Sequence, residues 1–375
     1  MVEVTGDGGA PALPRQGERL RAYGREFAQA LRGQDLPLAA MAVYVVLCYL
    51  AAQLAGAGAH FTLSLYSSFW LKLMLGLVFV LACVVYPAKV LLLQRPARPA
   101  RAILDGWKTR LFTAERLGLA LPMLLALPVF VSAFSSMKMM IPAFHPYTWD
   151  PAFAELDRWL HGGIDPWRLL QPVFGHPLIS FAVNVIYNAG WFVAIYAVLL
   201  WQVFQTSDRR RRSQFFVCFV LMWGVLGTAM ASLFASGGPC YYGGLVAGAN
   251  PFAPLMDYLY AANESYPIWA LSAQELLWEK HVEGDVMLGG GISAMPSLHV
   301  ACAMLCALVA WRYGRAVRIA MALFVAAMLL GSVHLGWHYA IDGYLSVLAM
   351  PLLWRAAGWM VDRWDGLRRG TPAAA

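Results

Sequence analysis

The chain has 375 residues, of which 60% are hydrophobic and 13% charged, with a formal net charge of +7. That balance is too apolar for a soluble domain and describes a membrane protein. The positive excess is scattered in short runs between apolar stretches, so it reads as a topology signal rather than a nucleic-acid footprint.

A bilayer core about 30 Å thick needs about 20 apolar residues per crossing helix. Runs of that kind lie at 37–57, 67–87, 117–137, 177–203, 215–236, 294–311, 317–337 and 338–360. They predict an all-α, polytopic membrane protein with about eight transmembrane helices, the last weakened by Arg355. Residues 1–36 carry Arg15, Arg19, Arg21, Arg25 and Arg32, with no apolar segment ahead of a cleavage site. They are expected to be a cytoplasmic segment rather than a signal peptide. A single membrane domain is expected over 37–362, followed by a cytoplasmic tail at 363–375.

Eight crossings place every basic segment on one face: the N-terminus, Lys89 to Arg116, Arg209–Arg212, the Arg312/Arg315/Arg318 cluster, and Arg363, Arg368 and Arg369. The positive-inside rule makes that face cytoplasmic, as in a bacterial-type inner membrane. Arg209–Arg212 is expected to be a solvated loop. The opposite face receives loops around 58–66, 138–176, 237–293 and 334–342. The third of these is acidic, with Asp257, Glu264, Glu275, Glu279, Glu283 and Asp285 against Lys280.

The stretch YTWDPAFAELDRWLHGGIDPW (147–167) has Leu156, Trp159 and Leu160 at helical spacing around Asp157 and Arg158, which predicts a short helix on the membrane surface. Asn184, Tyr187 and Asn188 are spaced to share a helix face, where helix–helix hydrogen bonding is expected. The loop at 237–293 has GGPCYYGG at one end and GGGIS at the other. Such glycines suit close backbone approach to a ligand, or hinges. Tyr241 and Tyr242 either line a headgroup pocket or belong to the interfacial aromatic belt. Among the six cysteines only Cys240 falls in an external loop, so no disulfide framework is expected. Cys302 and Cys306 read as core.

His299 and His338 stand at the outer ends of two predicted crossings. Asp342 follows His338 by four residues, one helical turn, so the carboxylate can hold one imidazole nitrogen and leave the other free as a nucleophile. His299 can then protonate a leaving oxygen. Ser297 and the amides near it, at a helix N-terminus, offer donors to an anion. Ionisable groups kept in apolar segments are costly and usually functional.

The pair MPSLH (295–299) and HYAID (338–342) resembles the second and third motifs of the type-2 phosphatidic acid phosphatase superfamily. Its patterns are K-x6-R-P, P-S-G-H and S-R-x5-H-x3-D, and the resemblance is to the branch of inositol phosphorylceramide synthases and inositolphosphotransferases. It implies a helical bundle over about 117–362, with His338 as nucleophile, Asp342 as its partner and His299 as the acid. KVLLLQRP (89–96) has one residue too few for the first motif and lies across the membrane from the histidines. KMMIPAFHP (138–146) reads as K-x6-H-P, which makes Lys138 the phosphate-binding cation and puts His145 where the family has arginine. Leu298 replaces the glycine of the second motif, and Gly331 and Ser332 replace the serine and arginine of the third. Losing that arginine removes a bidentate clamp, which His334, Lys138, His145 or a substrate group must replace.

The function expected is lipid phosphoryl-headgroup transfer at the extracytoplasmic leaflet through a phosphohistidine, with hydrolysis of a lipid phosphate as the alternative. The scheme calls for no metal or cofactor. Its partners are a lipid phosphate or phospholipid and the membrane. A proton-relaying transporter would place ionisable groups near mid-membrane with repeat symmetry, and neither pattern is present in the sequence.

Overall fold

A computed structural model describes residues 16–370 except 285, 286 and 288. Arg15, Asp285 and the ends of both termini lie outside the described residues, as do the side chains of Arg19 and Arg369. Every regular element among the described residues is helical. Among the described residues seven helices are long and apolar enough to cross a membrane: Asp35–Leu54, Ser67–Gln94, Ala114–Met139, Pro177–Val203, Arg209–Leu233, Arg315–His334 and Ala340–Arg368. Outward faces of the first two expose Val43, Val46, Leu47, Leu71, Leu75 and Phe79, as lipid contact requires.

The sixth expected run folds as the shorter helix Leu298–Ala310, 13 residues long. Pro296 precedes it, and the Ser297 side chain accepts from the Val300 amide to start it. At 1.5 Å per residue this helix is only about 20 Å long, and Val300, Ala301, Cys302, Ala303, Leu305 and Cys306 are all buried. It is the central helix of the bundle. One end meets the Ala340–Gly370 helix, where Ser297 N donates to Asp342 O at 3.2 Å. The other end meets the arginine run, where Arg211 donates to Leu308 O at 3.0 Å. The final helix is unbroken from Ala340 to Gly370, with Arg355 exposed on its flank.

The basic segments converge at one end of the bundle. Arg209 pairs with Glu115 at 2.6 Å, Arg210 with Asp362 at 2.7 Å, Arg368 with Asp35 at 3.1 Å, and Arg312 with Asp208. Arg209–Arg212, expected as a solvated loop, is instead the first turn of a helix, because the Asp208 carboxylate caps the Arg211 amide at 3.0 Å. Arg212 is 1% exposed. Its guanidinium donates to Gln202 O at 2.9 Å, Gln34 Oε1 at 2.8 Å and Leu119 O at 2.8 Å, and lies over the Phe216 ring. One buried cation thus ties four segments with charge-assisted bonds.

At the opposite end, Thr62 N donates to Ser136 Oγ at 3.1 Å, Tyr147 to Ile292 O at 2.8 Å, Ala294 N to Ser236 O at 2.9 Å and Cys240 N to Gly336 O at 2.8 Å. The four segments expected on one face therefore assemble there. The Ser67–Gln94 helix starts at this end and runs about 40 Å away from it, which removes the KVLLLQRP stretch from the histidines.

Truncating Arg212 to alanine strands the Gln34, Leu119 and Gln202 acceptors in the interior. Arg212→Ala is expected to destabilise the protein by about 3 kcal/mol, whereas Arg355→Ala leaves the melting temperature in detergent unchanged. Equal melting curves for the two variants would contradict this role of Arg212.

Candidate active site

His338 lies in the turn between the Arg315–His334 and Ala340–Gly370 helices. That turn is held by Ser332 O, which accepts from Trp337 N at 3.0 Å and His338 N at 3.2 Å. His338 Nδ1 faces Asp342 Oδ2 at 3.2 Å, and the same oxygen accepts from Tyr339 N at 3.0 Å. His338 is 6% exposed and Asp342 0%. A carboxylate on Nδ1 fixes that nitrogen as the donor and leaves the lone pair on Nε2.

Ser297 joins the two histidine segments. Besides its amide bond to Asp342 O, its carbonyl accepts from Ser346 Oγ at 2.9 Å, and Ser346 Oγ also reaches Asp342 O at 3.0 Å. Ser297 is accordingly a cap and a bridge. The His299 ring stacks on Tyr187 with centroids 4.9 Å apart and lies 4.4 Å from Trp191. His338 and Lys138 are both within electrostatic reach of His299. Lys138 is in the last turn of the Ala114–Met139 helix, and its ammonium makes no hydrogen bond or ion pair among the described residues.

The other candidates sit around this centre. His334 is fully buried, with Nε2 bonded to Ser180 Oγ at 2.9 Å and its ring against Phe174. Tyr241 donates to Gln274 O at 3.1 Å and stacks on Trp278, and Tyr242 packs on Phe252. Both tyrosines are buried in the wall of the external loop. His145 has its Nδ1 on Pro146 O at 2.7 Å, and the groups that act on His299 do not include it. All six cysteines are free, and Cys240 is no exception.

Two glycines seat the loop ends against the protein's own backbone. Gly238 has φ +96°, and a Cβ there would lie 2.6 Å from Trp337 O; Gly291 has φ +85°, and a Cβ there would lie 2.7 Å from the Lys138 carbonyl carbon. Only glycine tolerates both the conformation and the contact. Close approach, expected toward a ligand, is here made to the main chain beside His338 and at Lys138.

Two carboxylates on the surface helix Asp150–Leu160 were not singled out by motif or spacing. Asp150 accepts from Gly237 N and Gly238 N at 2.8 Å each and from the Tyr339 hydroxyl at 2.8 Å. Asp157 accepts from Ala340 N at 2.8 Å and Ile341 N at 3.1 Å, the first amides of the helix that carries Asp342. The helix is amphipathic in an inverted sense. Trp159 is 72% exposed and Leu160 51%, while Asp150, Phe153, Ala154 and Asp157 form the buried stripe. The sequence signal was two aspartates seven residues apart on the face away from the large apolar side chains. Burial pushes the Asp150 carboxyl up, and pushes that of Asp157 up to about 6 against the opposing pull of its amide bonds.

The fold defines a polytopic helical membrane protein with two imidazoles, a carboxylate and an amine gathered at one rim. A family model described as the PAP2 superfamily matches residues 151–355. That is more than half of the chain, and the protein belongs to this superfamily, whose members carry a lipid phosphatase or phosphotransferase type of activity. The matched region contains both histidine segments and Asp157, and begins beyond Lys138, His145 and Asp150. Neither the curated proteins nor the solved structures contain a match.

Protonating Asp157 costs it an acceptor for the Ala340 or Ile341 amide, so the clamp is complete above about pH 6 and weakens below it. Asp157→Asn, which turns one acceptor into a donor facing an amide, is expected to lower kcat about tenfold at pH 7.5. The variant should also lack the component of the wild-type acid limb near pH 6. A pH–rate profile that overlays the wild type after scaling would show that Asp157 has no part in the acid limb.

Proposed function

We propose that this protein is a lipid phosphotransferase working through a phosphohistidine at His338. The observation that carries the reading is the His338 Nδ1–Asp342 Oδ2 pair at 3.2 Å, with His299 in reach of His338 and of the Lys138 ammonium, which is unpaired among the described residues. His338 Nε2 attacks phosphorus and forms the P–N bond as the P–O bond to the departing alcohol breaks. His299 supplies the proton to that oxygen. In the second half, His299 takes the proton of an acceptor hydroxyl, whose oxygen attacks phosphorus and releases His338. Lys138 faces the charge that accumulates on the phosphoryl oxygens. The helices Leu298–Ala310 and Ala340–Gly370 both start here, and their positive dipole ends favour the same anion. His145 is proposed as a secondary headgroup contact at the mouth, and Tyr241, Tyr242 and His334 as supports of the wall.

Transfer to a lipid hydroxyl rather than to water is supported by the near-complete enclosure of His338 and Asp342 and by Leu298 in place of the second-motif glycine, as in the synthase-like branch. The positive-inside rule assigns the basic end to the cytoplasm. The site then faces the extracytoplasmic side, as expected for a bacterial-type inner membrane.

Purified protein in detergent, with and without chelator, is given phosphatidic acid, undecaprenyl diphosphate, or ceramide with phosphatidylinositol. The expected outcome is a product that requires the lipid hydroxyl acceptor, insensitivity to chelator, and loss of about 10³-fold or more in His338→Ala. Release of phosphate without an acceptor would assign the same site to a phosphatase. Wild-type turnover in His338→Ala would refute the nucleophile.

A further inference from the structure

We infer that Tyr187 is a further phosphate-binding residue, whose hydroxyl donates to a non-bridging phosphoryl oxygen held between His299 and His338; this rests on the function proposed above. Three observations lead to it. The first is position. Tyr187 lies in a wide π turn, Ile186–Gly190, that interrupts the Pro177–Val203 helix, and such turns re-aim side chains at functional sites. Its ring lies nearly parallel to that of His299, at an interplanar angle of 17°, and its hydroxyl is within electrostatic reach of Asp342 and Cys240.

The second is the state of the hydroxyl. Tyr187 is 1% exposed, and its oxygen has no hydrogen-bond partner among the described residues. Buried polar groups are almost always paired, because an unpaired one forfeits its hydration. The neighbouring asparagines on the same face obey that rule. Asn184 Oδ1 accepts from Ala270 N at 3.1 Å and from Asn188 Nδ2 at 2.9 Å. Tyr187 breaks the rule, as does the Trp191 indole N–H beside the same His299 ring.

The third is the shape of the wall behind it. A Cβ on Gly331 would stand 3.2 Å from Val183 Cγ1 and 3.4 Å from Tyr187 Cδ2, so glycine there lets the Pro177–Val203 helix pack closely on the Arg315–His334 helix beside the tyrosine ring. The next residue, Ser332, offers no donor to the site, because its hydroxyl is spent on Leu329 O at 2.7 Å. A phenol suits the place left to it. It is a neutral group whose O–H can donate to an anion without placing a second cation beside Lys138.

Tyr187→Phe deletes the hydroxyl alone. In detergent, kcat/KM on whichever lipid phosphate the wild type turns over, and the affinity for orthovanadate as an inhibitor, are both expected to fall about tenfold to a hundredfold. The melting temperature stays level or rises, since an unpaired buried hydroxyl is removed. Unchanged kcat/KM and vanadate affinity in an active preparation would overturn this inference and leave the proposed function standing. Loss of activity together with a lower melting temperature would also overturn it, by showing that the hydroxyl serves packing. A wild type that neither turns over lipid phosphates nor binds vanadate would overturn the functional reading and, with it, the role of Tyr187.

Discussion

The backbone knot between Ser297 and Asp342 is the constraint on which the rest of the site depends. Ser297 N reaches Asp342 O, and Ser346 Oγ closes on both carbonyls, so the first turns of two helices are fastened within a hydrogen bond of each other. His299 is two residues past one partner and His338 four before the other. The backbone segments that carry the two imidazoles cannot part without breaking bonds made in an interior where they are strong and their loss is costly. The same knot brings two helix N-termini together, so the local field favours an anion before any side chain is counted.

The external segments act on this knot as a brace. Asp150 holds Gly237, Gly238 and Tyr339, and Asp157 holds Ala340 and Ile341. One surface helix therefore grips the three residues between His338 and Asp342, while its Trp159 and Leu160 face outward. The glycines at 238 and 291 let the long loop lie directly on the main chain at Trp337 and Lys138. At the far end, Arg212 does comparable work with a single guanidinium, whose partners are carbonyls and an amide oxygen rather than a carboxylate.

Much of this was legible in the sequence because it is local. Apolar runs mark their own helices to within a few residues, and a histidine one turn from an aspartate declares its partner. Topology parity alone put His299 and His338 at one end. Apolar spacing marks the Leu298–Ala310 helix, but it starts later than 294 because Pro296 precedes it and Ser297 caps it. What stayed hidden depends on contacts distant in sequence. Asp157 reads as the polar face of a surface helix until Ala340, 183 residues later, is laid on it. Arg212 reads as one of four solvated arginines until Gln34, 178 residues earlier, closes over it. Tyr187 shares a helix face with Asn184 and Asn188, and what sets it apart from them is the ring of His299 stacked on its own.

The claim that organises all of this is that one imidazole takes the phosphoryl group and the other manages the proton. Rapid-quench mass spectrometry under alkaline conditions tests it most directly, using the wild-type protein mixed with a lipid phosphate that it turns over, without the hydroxyl acceptor that the second half-reaction needs. The account predicts an acid-labile phosphoryl or phosphoryl-headgroup adduct on the peptide bearing His338, at a mass that identifies the transferred group. An adduct on another residue, or product formed with no adduct at His338 at any quench time, would contradict it.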